Sequence, residues 1–230
     1  MISVIIPAYN HASSVNRCLD SLFQQTGVEM EIIVVNDGST DSTRAVLERY
    51  ADRVTVIQQK NLGAAAARNR GAQLARGHFI IFVDADATFE PHALSLLKQA
   101  LEEDPKAGYA YSDFRFGFKR FRTGPFDANR LKKMNFIHIS ALIRHELFPG
   151  FDESIKRFQD WDVWLTLLER GISGVYVEGT LMHVTIERAG ISSWLPKGSY
   201  RSPWKFLPGL RHRVQAYEQA RNVIVRKHNL

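Results

Sequence analysis

The chain has 230 residues, 45% hydrophobic and 23% charged, enough to bury one sizeable core and too balanced in composition for a disordered chain. A single cysteine, Cys18, excludes a disulfide framework and a cysteine-built zinc site. No apolar run approaches the roughly 18 residues of a membrane span, and the opening MISVIIPAYN lacks the basic lead of a signal peptide. The net charge of +6 divides unevenly. Residues 1–114 carry 10 Lys/Arg and 14 Asp/Glu, a net of −4, whereas residues 115–230 carry 20 and 10, a net of +10. An acidic half joined to a basic half suggests two surfaces with two partners, and makes nucleic acid the weaker reading of a basic protein.

Ile2–Pro7 is a short β-branched run, as a buried parallel strand would be. A helix is expected over Ser14–Gln25, with Val15, Cys18, Leu19 and Leu22 at helical spacing. Glu31–Val35 is the next strand and Asn36–Ser42 a turn-rich segment, followed by a helix over Thr43–Tyr50, a strand at Val54–Ile57 and an alanine-rich helix at Gly63–Ala75. His78–Val83 is a fourth strand, and Pro91 opens a helix through Leu101. Alternation of this kind predicts a mostly parallel sheet covered on both faces, with ligands beyond the carboxyl ends of the strands. Those ends fall at Ala8–Asn10, Asn36–Ser39, Gln59–Gly63 and Asp84–Ala87.

The second half is less regular. Strands are expected at Tyr109–Ser112, Ile137–Ile143 and Gly174–Val177, and an amphipathic helix at Gln159–Arg170. Phe114–Lys133 has no clear period and interleaves seven Lys/Arg with five phenylalanines, which reads as a flexible loop packed by its phenylalanines or an RNA-binding strip. From Arg188 onward nine Lys/Arg face only Glu218. There Trp194, Trp204, Phe206 and Leu207 resemble an interfacial anchor on an anionic membrane, while Leu210, Val214, Tyr217 and Ile224 could equally pack a terminal helix on the domain.

Neither a Gly-x-Gly-x-x-Gly nor a Gly-x-x-x-x-Gly-Lys pattern is present, so any nucleotide must be held by side chains and a metal. Asp84 and Asp86 follow the fourth strand and, at i and i+2 of an extended segment, can face one site. Such a pair repels itself unless a cation intervenes, and Mg2+ or Mn2+ takes oxygen ligands shared with a diphosphate. The same residues could simply form a solvated acidic turn. Asp37 can accept a base imide N–H, beside a turn that also caps the following helix. The Asn61–Gly71 segment opens a helix whose amides and Arg68 can meet phosphate, or whose alanines simply pack on the sheet. Asp160 opens the amphipathic helix, where a helix N-terminus favours the ionised carboxylate, as base or as cap. Asp162 falls on a different face, so the two do not form a catalytic pair.

In order, VIIPAYN, VVNDGSTD, NLGAAAARNRG, FIIFVDADA, GFDE and QDWDVWL resemble the family 2 glycosyltransferases across roughly residues 2–195. The resemblance implies a GT-A fold and an inverting transfer from a nucleotide-diphosphate sugar, foremost a UDP-sugar, to an acceptor hydroxyl. It implies that Pro7, Ala8, Tyr9, Asn10 and Asp37 hold the nucleoside, that Asn61, Gly63, Arg68 and Ala85 lie along the donor, that Asp84 and Asp86 bind the metal and that Asp160 is the base. Asp113, Gln159 and Trp161 are expected on the acceptor side. Three positions depart from the family pattern: Asn36 replaces a second Asp, Gln159 replaces a Glu before the base, and Glu187 stands where relatives carry a metal-supporting His, with His183 the nitrogen alternative.

The expected architecture is a GT-A catalytic domain over residues 1–190, with a donor half 1–113 and an acceptor half 114–190, and a basic extension over 191–230. The acceptor is a glycan, a lipid-linked sugar or another hydroxyl compound. A cytoplasmic enzyme is expected, with peripheral contact to the inner membrane face through the basic C-terminus. A non-catalytic nucleotide-sugar or glycan-binding module, and a nucleotidyltransferase on the same fold, are the rival readings.

Overall fold

A computed structural model describes residues 1–185 and 208–230. The first half alternates β1 (Ile2–Ala8), α1 (Val15–Phe23), β2 (Met30–Asp37), α2 (Thr43–Glu48), β3 (Thr55–Gln59), α3 (Ala64–Ala72) and β4 (Phe79–Phe82), as the hydrophobic pattern predicts. After β5 (Ala87–Phe89) and α4 (Ala93–Glu103) come β6 (Ala107–Phe116), β7 (Lys119–Phe121), α5 (Ala128–Lys133) and β8 (Leu142–Arg144). A single 3-10 turn, α6 (Gln159–Glu169), β9 (Ser173–Val184) and α7 (Pro208–Lys227) complete the described chain.

One sheet runs in the order β3-β2-β1-β4-β8-β6-β9-β5, with β7 paired to β6. The pairs β3/β2, β2/β1 and β1/β4 are parallel, the pairing that helical crossover connections allow. Beyond β4 the sheet is mixed: β8 is antiparallel to β4 and β6, β9 is parallel to β6, and β5 is antiparallel to β9. The all-parallel part of the sheet is therefore β3-β2-β1-β4.

Strand alternation divides the core in two. Ile2, Val4 and Ile6 of β1 point toward α1, α2 and α4, meeting Cys18, Leu19, Leu22, Leu47, Leu94 and Leu97. Ile5 points the other way and joins Ile80, Phe82, Tyr109, Tyr111, Trp161 and Trp164 beneath α3 and α6. The approach of α3 to β1 is close: a Cβ at Gly71 would lie 2.4 Å from Ile5 Cγ2. Glycine and alanine on this helix allow that spacing.

Two readings of the second half are revised. Phe114–Lys133 is not an irregular loop but the end of β6, the β7 hairpin and the capped helix α5, whose short alternating and helical pieces are too brief to show a period. Most of Ile137–Ile143 is buried irregular chain, and only Leu142 and Ile143 of it join β8. The terminal helix packs on the domain, with Val214 and Ile224 buried and Tyr217 edge-on to Phe158 at 5.2 Å. Glu187, Trp194, Trp204, Phe206 and Leu207 lie outside the described residues. Among the described residues, no helix is long and apolar enough to cross a membrane.

Candidate active site

The carboxyl ends of β1, β2 and β3 are knitted together by side chains. Asn10 adopts a left-handed backbone at φ 58, which asparagine tolerates. Its Oδ1 accepts from the N–H groups of Thr40 at 2.8 Å and Asp41 at 3.2 Å, and its own N–H donates to Ser39 Oγ at 3.0 Å. Pro7 and Ala8 end β1, both buried, while Tyr9 is exposed. Asp37 is buried and already engaged: Oδ1 accepts from Gln59 Nε2 at 2.7 Å and Leu62 N at 2.9 Å, and Oδ2 from Gly63 N at 2.8 Å. A carboxylate offers about four acceptor sites, so roughly one remains for a ligand. Gly38 permits this crossing, since a Cβ there would sit 2.6 Å from Asn61 N and its φ is 71. Asn61 is exposed beside it.

Arg68 links the end of β4 to the start of α6. From α3 its Nη2 donates to Asp84 Oδ1 at 2.8 Å and its Nη1 to Gln159 Oε1 at 2.9 Å. The side chain is buried and its Nε–H has no partner. Burial pushes Asp84 upward, but the Arg68 guanidinium, helped by His138 and His11, holds its carboxyl below the usual range. Asp84–Ala87 is a turn rather than the extended segment expected, closed by Ala87 N donating to Asp84 O at 2.9 Å; Ala85 is buried in it, and Asp84 and Asp86 are half-buried. Asp86 is pushed up to about 6, first by burial and then by the charge of Asp84.

Asp160 sits in the first turn of α6. Phe158, before it, has φ 63, an uncommon conformation for a bulky residue, and its ring is held against Trp161 and Tyr217. Asp160 Oδ1 accepts from Trp161 N at 2.9 Å, and Oδ2 accepts from Asn135 Nδ2 at 2.7 Å. Burial raises the Asp160 carboxyl against the opposing pull of His138. His138 is pushed down by burial, although the charges of Asp84 and Asp160 act to raise it. Its Nδ1 accepts from Ser140 N at 3.1 Å, so the neutral ring carries its proton on Nε2.

Gln159 is therefore within this network, accepting from Arg68 while its Nε2 donates to Ile155 O at 2.8 Å. Two residues expected on the acceptor side serve the scaffold instead. Trp161 is buried and its indole N–H donates to Leu131 O at 2.7 Å, because an amphipathic helix turns its aromatic stripe inward. Asp113 is buried and accepts from Thr123 N at 2.8 Å, Tyr176 Oη at 3.0 Å and Arg120 Nη2 at 3.1 Å, which fixes the β6–β7 hairpin. Asp162 is buried on the far side of α6, between Lys227 and His228 of the C-terminal segment, as its different helical face predicts. His183 is paired to Glu90 at 2.7 Å. Thr185 N donates to Asp86 O at 3.1 Å, two residues before Glu187.

Sequence reasoning missed Asn135 and His138. The signal open to it was two polar residues breaking an apolar stretch, NFIHISALI. Polar groups in such a stretch need partners when buried, and those partners here are the Asp160 carboxylate and the Ser140 backbone amide.

No three His, Cys, Asp or Glu side chains among the described residues converge as a metal-holding group. The Asp84/Asp86 pair nevertheless fits a divalent cation. Its oxygens match Mg2+ or Mn2+, and Asp86 is raised by the negative charge that such an ion would neutralise.

Residues 3–157 match the profile of glycosyl transferase family 2. An uncharacterized glycosyltransferase of Haemophilus influenzae is 29% identical over 243 aligned positions, covering 96% of this chain and 80% of that protein. The uncharacterized glycosyltransferase YibD of Escherichia coli K12 is 40% identical over 119 residues, half of this chain and 35% of its own length. Chondroitin synthase of Escherichia coli is 34% identical over 187 residues, 74% of this chain and 27% of the synthase. The chain thus spans about a third or less of the latter two relatives. Among solved structures, Staphylococcus aureus TarS in complex with UDP superposes with a TM-score of 0.70 at 22% identity, covering 80% of this chain and 60% of that one. Mannosyltransferase PcManGT of Pyrobaculum calidifontis, in complex with GDP-Man and Mn2+, gives 0.67 at 22% identity, covering 82% and 58%. The shared architecture is the GT-A fold.

Proposed function

The chain belongs to glycosyl transferase family 2, and we propose that it moves a sugar from a nucleoside-diphosphate donor to an acceptor hydroxyl with inversion. The observation that carries this reading is the placement of Asp160. Its carboxylate is oriented by Asn135 and Trp161 N, raised by burial, and joined through Gln159 and Arg68 to Asp84.

The step balances with these residues. The acceptor oxygen attacks the anomeric carbon, its proton passes to an Asp160 carboxylate oxygen, and the bond from that carbon to the diphosphate oxygen breaks with its electron pair on the leaving group. A raised pKa makes Asp160 the stronger base once ionised. Arg68 carries an unpartnered N–H and a positive charge beside Asp84, suited to a diphosphate oxygen. Asp84 and Asp86 would hold the divalent ion, which when bound supplies neutralisation of the leaving diphosphate. Tyr9, the remaining acceptor site of Asp37 and exposed Asn61 frame the nucleoside end. A UDP-sugar suits a carboxylate facing a base imide, and PcManGT in complex with GDP-Man supports keeping GDP-sugars in the same screen.

The test is Asp160→Asn, with nucleotide release from a panel of UDP- and GDP-sugars and nucleotide binding by thermal shift. We expect transfer to fall by about a hundredfold or more with binding retained, since general-base catalysis contributes about 10^2–10^4. Turnover equal to the parent chain would rule out Asp160 as the base.

A further inference from the structure

The family assignment leaves the acceptor open, and the second half of the chain carries a charge pattern that the donor site does not use. Between Arg115 and Lys133 there are seven Lys/Arg and one acid, Asp127. Asp127 is spent capping α5, accepting from Asn129 N and Arg130 N. Asp113, just before this stretch, neutralises Arg120. Arg130 is tied to Thr123 O and lies over Phe136. Arg115, Arg122, Lys132 and Lys133 remain exposed, with no acidic partner among the described residues.

The chain that carries these cations runs close to Asp160. Tyr109, Tyr111 and Asp113 share one face of β6 by strand alternation, and Tyr109 stacks on Trp164 of α6 at 4.7 Å. Arg115 lies two residues beyond Asp113, past the register irregularities that flank Asp113 in the β6–β9 pairing, and next to Phe114. From the hairpin the chain returns through α5, whose Leu131 O receives the Trp161 indole, and reaches Asn135, the partner of Asp160. The hairpin is a rigid arm: Phe114 stacks on Phe121 with centroids 4.8 Å apart, and Phe114 touches His138 at 4.9 Å.

We propose that Arg115, Arg122, Lys132 and Lys133 bind an anionic acceptor glycan, one bearing carboxylate or phosphate groups near the hydroxyl that Asp160 deprotonates. This rests on the glycosyltransferase reading and names the substrate class of its acceptor side. A membrane surface is the less favoured partner. Phe118 at the tip and Met134 are the large apolar side chains left exposed on this stretch, far less apolar area than an interfacial helix buries.

The probes are a hexameric oligogalacturonate for carboxylate, short-chain polyphosphate for phosphate, neutral cellohexaose, and vesicles of phosphatidylglycerol. The parent chain is compared with Arg115→Glu/Arg122→Glu and with Arg115→Lys/Arg122→Lys. Binding of at least one soluble anion is expected, weakened by salt, unaltered in the lysine variant and reduced between about fivefold and thirtyfold in the glutamate variant, from the worth of two exposed ion pairs. Which anion binds identifies carboxylate or phosphate. Equal binding of cellohexaose, no binding of either soluble anion, unchanged binding in the glutamate variant, or binding confined to vesicles would overturn the proposal. Donor hydrolysis in water is measured alongside: both exchanged arginines lie outside the donor site, so it should be the same in all three chains. Its absence from the parent chain would instead reject the glycosyltransferase reading.

Discussion

Asn135→Ser isolates the hydrogen bond that orients Asp160, the proposed base. Asn135 Nδ2 lies 2.7 Å from Asp160 Oδ2, and Trp161 N is the other donor to that carboxylate. A hydrogen bond to a charged group contributes about 1.5–3 kcal/mol, equivalent to about one to two pH units. The bond favours the ionised carboxylate, so its loss must raise a carboxyl that burial has already raised. Protonated Asp160 cannot accept the acceptor's proton. The acidic limb of kcat/KM should therefore move up by about one to two pH units, so that at a fixed pH on that limb kcat falls about 10- to 100-fold. Donor KM should change little, because Asn135 contacts none of the donor-side groups. Asn135 Oδ1 also accepts from Ile137 N at 3.3 Å, so local loosening needs its own control. Asn135→Asp keeps that acceptor but sets a second carboxylate against Asp160, and should move the limb further in the same direction. A pH–rate profile of transfer for the three chains reads this directly. An unmoved limb with kcat within twofold of the parent would refute the positioning role.

Asp86, at about 6, holds its proton above the ordinary 3.8 of an aspartate. The folded chain then binds more protons than the unfolded one between those values, so the contribution of this group to stability should fall as pH rises from about 4 to about 6. Mn2+ competes with that proton. Its stabilising effect in a thermal melt should be small at pH 5 and complete near pH 7.5, and Asp86→Asn should abolish the difference. His228 is buried with its ring nitrogens at 2.8 Å from Asp162 Oδ1 and 2.7 Å from Glu169 Oε1. His228→Ala removes a partner of buried Asp162 while Lys227 remains, so urea unfolding should show a loss of about 2–4 kcal/mol; a change below about 0.5 kcal/mol would contradict the docking role of the α7 end. At Gly71→Ala the added methyl meets Ile5, and overpacking should cost about 1–3 kcal/mol in the same assay.

The donor half was readable because its elements are regular. Continuous β-branched runs gave β1, β2 and β4, and the residues just past them, Asn10, Asp37 and Asp84, reached the strand ends where a parallel sheet places chemistry. The acceptor half was not, for two physical reasons. Elements such as β7 at three residues and α5 at six are shorter than the windows in which a period shows. Partnerships such as Asn135 with Asp160 span 25 positions, and only the folded chain selects which polar residue meets which. Asp113 illustrates the second reason. It was expected on the acceptor side, yet its oxygens accept from Thr123, Tyr176 and Arg120.

The departure at Gln159 has a structural consequence rather than a neutral one. Its amide accepts from Arg68 Nη1 and donates to Ile155 O, a pair of bonds that a glutamate carboxylate could not make together. A glutamate would also compete for the Arg68 charge. The amide leaves that charge to Asp84, and the two donor-side aspartates separate: Asp84 is held low by Arg68, whereas Asp86 is raised by burial and by Asp84. One guanidinium thus sets the acidic pair apart and touches the residue next to the base. An anion drawing on the Arg68 Nε–H, unpartnered among the described residues, would act on the same side chain that holds Gln159, the residue next to Asp160 in the first turn of α6.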